Sequence, residues 1–150
     1  MEGEEPMAEF WNQWSFWAMA AALLAALTSL FAKVGVEGVP SNLATLLRTL
    51  VVVLFLGAVV LTRGEGLPLS SLPRRSLVFL LLSGLATAGS WMCFFRALQL
   101  GPVARVAPVD KFSVVLVAIG GVALLGETLS PLQWAGVVLI ALGAGLVAWT

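Results

Sequence analysis

Arg105, Pro108, Asp110 and Lys111 fall within one ten-residue run, Pro102-Val-Ala-Arg-Val-Ala-Pro-Val-Asp-Lys111, and the fourteen residues that follow, Phe112 to Leu125, carry no charge. A carboxylate can balance a cation or exchange a proton, an ammonium can attract a carboxylate or phosphate, and a proline inside a helix lets it bend. In hydrocarbon a single charge costs about 2.5–3.5 kcal/mol even on the lenient insertion scales, so a chain that keeps one there generally uses it. Asp110 and Lys111 are therefore the first candidates for function. Neighbours on an ideal helix point about 100° apart, so the two are expected not to pair, and Arg105 is also rotated away from Asp110. Each then needs another partner. Arg48 lies six residues into the second apolar segment and Asp110 seven into the fourth, about 9–10 Å from the same membrane face. Arg48 or Arg96, from this chain or a neighbouring one, is the expected partner of Asp110. Lys111 is expected on the Ala104 carbonyl that Pro108 leaves without a donor. The bland alternative for Arg48, Arg96 and Arg105 is snorkelling to the headgroups, since all three lie within two turns of a helix end. Asp110 is too short for that.

Other polar positions align by helical spacing. Ser83, Thr87, Ser90 and Phe94 share one face of the third segment, and Asp110, Ser113, Val117 and Gly121 share one of the fourth. Such stripes either line a cavity or let helices approach closely. Trp91 is too deep for an interfacial belt and either packs the bundle or stacks on a ligand. The candidate substrate or coupling residues are thus Asp110, Lys111, Arg48, Thr87, Ser90, Trp91 and Ser113, with Pro108 as hinge. Gly136, Ala141, Gly143 and Gly145 give the fifth segment small surfaces suited to helix pairing and form the candidate dimer interface. With no histidine or tyrosine, and no Ser/His pair, paired carboxylates, metal cluster or phosphate loop, an enzyme finds no footing. No cofactor, metal or nucleic acid is expected. The lone Cys93 forms no intrachain disulfide.

The elements that must position these residues are membrane helices. Of the 150 residues 60% are hydrophobic and 11% charged, and the mean hydropathy is +1.02; no water-soluble domain has this composition. Five apolar segments, about Trp14 to Ala32, Asn42 to Leu61, Ser76 to Leu98, Val103 to Leu125 and Pro131 to Trp149, each approach the ~20 residues a bilayer requires. The fold class is an all-α integral membrane protein, with an acidic polar N-terminus over residues 1–13 and one five-helix domain over 14–150. That N-terminus lacks the positive region of a signal peptide, so the first segment is expected to stay. Ser41 or Asn42 is expected to cap the second helix, and Ser130-Pro-Leu-Gln133 carries the cap oxygen, first-turn proline and reciprocating Gln of a helix start. Phe10, Trp14, Trp17, Trp134 and Trp149 suit aromatic belts. The Arg63 to Arg75 loop reads as solvated. Five crossings put the termini on opposite sides. Three cations and six acids fall on the N-terminal side, five cations and two acids on the other. With the buried cations discounted, the orienting bias is about three against three, which fits insertion in both orientations.

Leu125-Gly-Glu-Thr-Leu-Ser-Pro-Leu-Gln-Trp-Ala-Gly136-Val-Val-Leu-Ile-Ala-Leu-Gly143 resembles the end of an EamA repeat of the drug/metabolite transporter superfamily. Ala97-Leu-Gln-Leu-Gly-Pro-Val-Ala-Arg-Val-Ala-Pro-Val-Asp-Lys111 is similar to the helix three to four junction of its five-helix bacterial and archaeal members, and the likeness extends over about Ala22 to Ala148. Larger relatives carry two such repeats in inverted orientation. The resemblance therefore implies an antiparallel homodimer, or a partner half, around a central cavity. The small multidrug members couple drug to protons through a Glu in the first helix, whereas Phe16 to Ala32 here contains no acid and only Asp110 can stand in. The expectation is a secondary transporter of small metabolites, anionic or zwitterionic in view of the cations facing Asp110. It would work by alternating access as a dual-topology dimer in a prokaryotic cytoplasmic membrane. The alternatives are a membrane interaction module that transports nothing, a half-subunit of a heteromeric transporter, or a lipid carrier.

Overall fold

The computed structural model describes residues 13–64 and 72–149; the acidic N-terminus with Phe10, and residues 65–71 of the long loop, lie outside them. Among the described residues six helices run: α1 Trp14–Gly35, α2 Ser41–Thr62, α3 Arg74–Leu100, α4 Val103–Asp110, α5 Phe112–Leu125 and α6 Pro131–Trp149. They make five spans long and apolar enough to cross a membrane, with α4 and α5 together forming the fourth. Among the described residues there is no strand.

The spans match the apolar segments, and α3 begins at Arg74, two residues before the apolar run, because Pro73 supplies the φ of −56° that starts a helix and the arginines are tolerated at its solvated end. The fourth span departs from expectation. A continuous helix was expected with its disturbance near Ala104; instead α4 ends at Asp110 and Lys111 sits between helices at φ −70°, ψ −7°. Pro108 lacks an amide, and past it the chain tightens: Lys111 N–H donates to Pro108 O and Val114 N–H to Lys111 O, both at 3.0 Å. These two i to i+3 bonds are turns on either side of Lys111, one residue of non-helical backbone inside the membrane span.

The helix ends show which local expectations survive. At α6, Ser130 N–H donates to Gln133 Oε1 at 2.7 Å and Gln133 N–H to Ser130 Oγ at 3.3 Å, the reciprocal box read from the sequence. At α2 neither Ser41 nor Asn42 caps: the cap position is Pro40, without a side-chain bond, because the helix already includes Ser41. Gly126, at φ +71°, reverses the chain after α5, and Glu127 N–H closes the turn on Gly121 O at 3.1 Å.

Packing is concentrated at one end. Ala32, Val36, Ala44, Phe95 and Leu98 form the core, with Val39, Trp91, Phe94, Val103 and Val106 against it. All lie near the 36–40 and 101–102 connections. α2 packs along α3, α6 packs on both α4 and α5, and α1 reaches α3 and α4. Toward the far ends of α1–α3, residues such as Leu24, Leu54, Leu61, Phe79 and Leu85 are exposed. Hydrocarbon permits this, since lipid tails are as apolar as leucine and exert no drive to bury it. Trp14, Trp17 and Trp149 project outward near span ends, as belts require.

Candidate functional site

The α4–α5 break carries the charges. Contrary to the ideal-helix expectation, Lys111 Nζ pairs with Asp110 Oδ2, at 3.4 Å, with both side chains about half exposed. The 100° divergence holds only while both residues continue one helix; Lys111 has left it, and its long stem folds back onto the carboxylate. The ammonium meets this carboxylate rather than the Ala104 carbonyl. Within this chain neither expected partner reaches Asp110. The Arg48 guanidinium lies 3.3 Å from the centroid of the Trp91 ring, and an Arg96 guanidinium N–H donates to Gln99 Oε1 at 3.1 Å.

Two openings flank the break. A cleft of about 380 Å³ between α3, α4 and the end of α6 is lined by Ser90, Cys93, Phe94, Arg105 and Asp110, among others. A larger groove of about 930 Å³ separates α1 from α4; alanines at 21, 22, 25 and 26 form one wall, and Pro108 and Lys111 stand on the other. Asp110 and Lys111 thus belong to different openings while touching each other. Arg48 belongs to a third, of about 360 Å³ between α1, α2 and α3.

The aromatic partition explains why these openings stay separate. Trp91 makes an edge contact with Phe94 at 5.6 Å between centroids and a tilted one with Phe95 at 5.8 Å. Phe94 faces the Asp110 cleft and Phe95 the Arg48 groove. Trp91, read from sequence as either packing or ligand-stacking, therefore packs the bundle and carries a cation on its face.

The remaining candidates scatter. Thr87 is exposed and its hydroxyl donates to Ser83 O at 2.8 Å. Ser113 is exposed, whereas Ser90 joins Asp110 in the cleft. In α6, Gly136, Ala141 and Gly145 are partly covered by this chain and Gly143 is exposed; a Cβ on Gly145 would meet Phe112 Cζ at 3.9 Å. Among the described residues no three Cys, Asp or Glu gather as a metal site.

Lys33 is the residue sequence reasoning passed over. Its ammonium donates to Leu98 O at 2.7 Å and Gly101 O at 3.2 Å. Leu98 O would normally accept from the amide four residues on, which is Pro102 and has no N–H. Lys33 supplies the missing donor and ties α1 to the α3–α4 junction. Gln99 reinforces it, donating to Val39 O at 2.6 Å. The signal was present in the sequence as a proline four residues beyond a buried leucine.

Comparison with known proteins agrees with this architecture. The EamA-like transporter family matches residues 12–149. A protein of Sinorhizobium sp., described as an uncharacterized transporter in the cobO 3' region, is 53% identical over 137 residues, spanning 91% of this chain and 97% of the relative. No solved structure matches the chain significantly. Five membrane-spanning helices, one discontinuous at a charged pair, and a family match over nearly the whole length lead to one conclusion: the chain is a multi-pass membrane protein and belongs to the EamA-like transporter family.

Proposed function

We propose that this protein is a secondary transporter carrying small anionic or zwitterionic metabolites, such as an amino acid or organic acid, by alternating access across a prokaryotic cytoplasmic membrane. One observation carries the reading: the fourth span breaks at Lys111, where a loose 3.4 Å ion pair joins a carboxylate facing one opening to an ammonium facing another. Discontinuous helices near the bilayer midplane are a recurring way of building transporter sites. A substrate carboxylate or phosphate competes with Asp110 for Lys111, and Arg48 offers a second cation. Asp110, once released, balances a substrate ammonium or takes a proton. The turn at Lys111, after Pro108, absorbs the change in angle between α4 and α5. Ser90, which lines the Asp110 cleft, provides a hydroxyl for orientation.

A second copy in the opposite orientation completes the site. Support comes from the odd number of crossings, the near-balanced arginines and lysines, and the extent of apolar surface that one copy leaves uncovered. Gly136, Ala141, Gly143 and Gly145 are the pairing surface in this arrangement. Single cysteines near Glu37 and in the Arg63 to Arg75 loop test it: antiparallel copies cross-link the two positions to each other, and cross-links only between like positions refute it. The transport reading is tested with Asp110→Asn in proteoliposomes, where counterflow of labelled amino and organic acids should fall at least about tenfold. Unchanged counterflow removes Asp110 from the mechanism.

A lipid carrier is the second reading, favoured by the alanine-walled α1–α4 groove with a cation on its side. It predicts exchange of fluorescent phospholipid between leaflets that soluble acids do not compete.

A further inference from the structure

The Arg48 groove holds two polar groups that the rest of the fold leaves unused. Threonine hydroxyls in apolar helices return to a backbone carbonyl one turn back, as Thr45, Thr49, Thr62 and Thr87 do at 2.8, 2.8, 2.9 and 2.8 Å. Thr28 does not: among the described residues its hydroxyl has no hydrogen-bond partner. Arg48 likewise meets no carboxylate and no hydrogen-bond acceptor among them, only the face of Trp91. Both line the same groove of about 360 Å³. Thr28 lies seven residues before the end of α1 and Arg48 seven after the start of α2, so both sit about 10 Å below the 36–40 connection.

Stacking fixes what the guanidinium can do. With its Cζ 3.3 Å from the ring centroid, it gains cation–π attraction that offsets part of its desolvation, and none of the N–H donors of its fork is spent on an acceptor among the described residues. Neither the guanidinium nor the Thr28 hydroxyl is sealed away, since among the described residues no fully buried side-chain polar atom lacks a partner. A planar carboxylate matches the fork in two bonds, and a hydroxyl at the same depth can donate a third. Phe31, Leu47 and Phe95 make the remaining walls apolar.

We propose that this groove is a binding site for small aliphatic carboxylates, with Arg48 and Thr28 holding the carboxylate and the apolar walls taking a branched chain of a few carbons. It deepens the transport reading and rests on it only for its use in translocation. The Trp91–Phe94 partition separates it from the Asp110 cleft, so this carboxylate site is additional to Lys111, where a substrate anion competes with Asp110.

The test is isothermal titration of the purified full chain in detergent, with no gradient and no transport readout, against isovalerate, its neutral amide isovaleramide, and inorganic phosphate. Isovalerate should bind saturably, isovaleramide and phosphate at least tenfold more weakly. Arg48→Met should weaken isovalerate about tenfold to a hundredfold, as loss of hydrogen bonds to a charged group requires, and the isosteric Thr28→Val about threefold to tenfold. Because Thr28→Val removes one hydroxyl without changing shape, it keeps the test decisive if Arg48→Met does not fold. Equal binding of acid and amide, unchanged isovalerate binding in Thr28→Val, or tighter binding of phosphate, as a lipid headgroup site would give, overturns the proposal. Isovalerate binding without any counterflow in proteoliposomes upholds this site and refutes the transport reading instead.

Discussion

Lys33→Met isolates the charge-assisted hydrogen bonds that tie α1 to the α3–α4 junction. Methionine keeps most of the apolar stem and removes two hydrogen bonds, to Leu98 O at 2.7 Å and Gly101 O at 3.2 Å. In water-soluble proteins each bond to a charged donor contributes about 1.5–3 kcal/mol. In membrane helices the average is nearer 0.6 and the largest near 1.7 kcal/mol, because the unfolded chain also finds partners. Leu98 is fully buried and Pro102 cannot supply a replacement, so the upper part of the membrane range applies to the shorter bond. The two together give about 1–3 kcal/mol, or a drop of roughly 3–10 °C in melting temperature for a chain of this size. Thermal unfolding in detergent, followed by circular dichroism, measures it. Lys111→Met is the internal comparison: its partner is 3.4 Å away and both side chains are about half exposed, so the loss should stay below about 1 kcal/mol. A Lys33→Met melting point equal to wild type, or a larger drop for Lys111→Met, refutes the reasoning that the Leu98 carbonyl orphaned by Pro102 makes Lys33 structural.

Three further outcomes follow from local geometry. Ser130→Ala breaks one arm of the α6 box and should cost about 0.5–2 kcal/mol, read as a lower detergent melting temperature. Gly126→Ala places a Cβ at φ +71° and should cost about 1–2 kcal/mol in the same assay; Gly136→Ala, with open space around the added carbon, should change it by less than about 0.5 kcal/mol. Pro108→Ala restores an amide beneath Ala104 O, so it should raise the melting temperature while slowing counterflow, and a faster variant would exclude the break as a working hinge.

The spans were legible because a bilayer imposes length and apolarity together, and loops at Glu37–Ser41 and Gly126–Ser130 carry the residues that stop and start helices. The α6 box was legible for the same reason: its partners are three residues apart and need nothing from the rest of the fold. The Asp110–Lys111 pair was not, because the 100° rule assumes a helix that Pro108 had already ended. Arg48 defeated prediction differently. Equal depth placed it near Asp110, but depth does not give azimuth, and the face it presents meets Trp91. Lys33 was readable in principle, from a missing amide at Pro102, once its span end was known to share a side with the α3–α4 junction.

The position of the charged residues relative to the packed end has a mechanical consequence. Every member of the main core lies on α1, α2, α3 or, for Val36, the 36–40 connection, and the side chains packed on it reach only as far as Val106 on α4. None lies on α5 or α6. Lys33 and Gln99 lock the same region through backbone carbonyls, which have no rotamer to change. Lys111 follows Val106 by five residues, just beyond the last core contact, and there the backbone switches to i to i+3 bonding. A change of angle at Lys111 therefore moves α5 against α4 without opening the core, and α6, packed on both halves, is the element that must slide. The alanine at 144, buried on α6, and Gly145 against Phe112 are small where the proposed hinge would require that sliding. Larger side chains there would pin α5 to α6 and remove the motion while leaving the folded core intact.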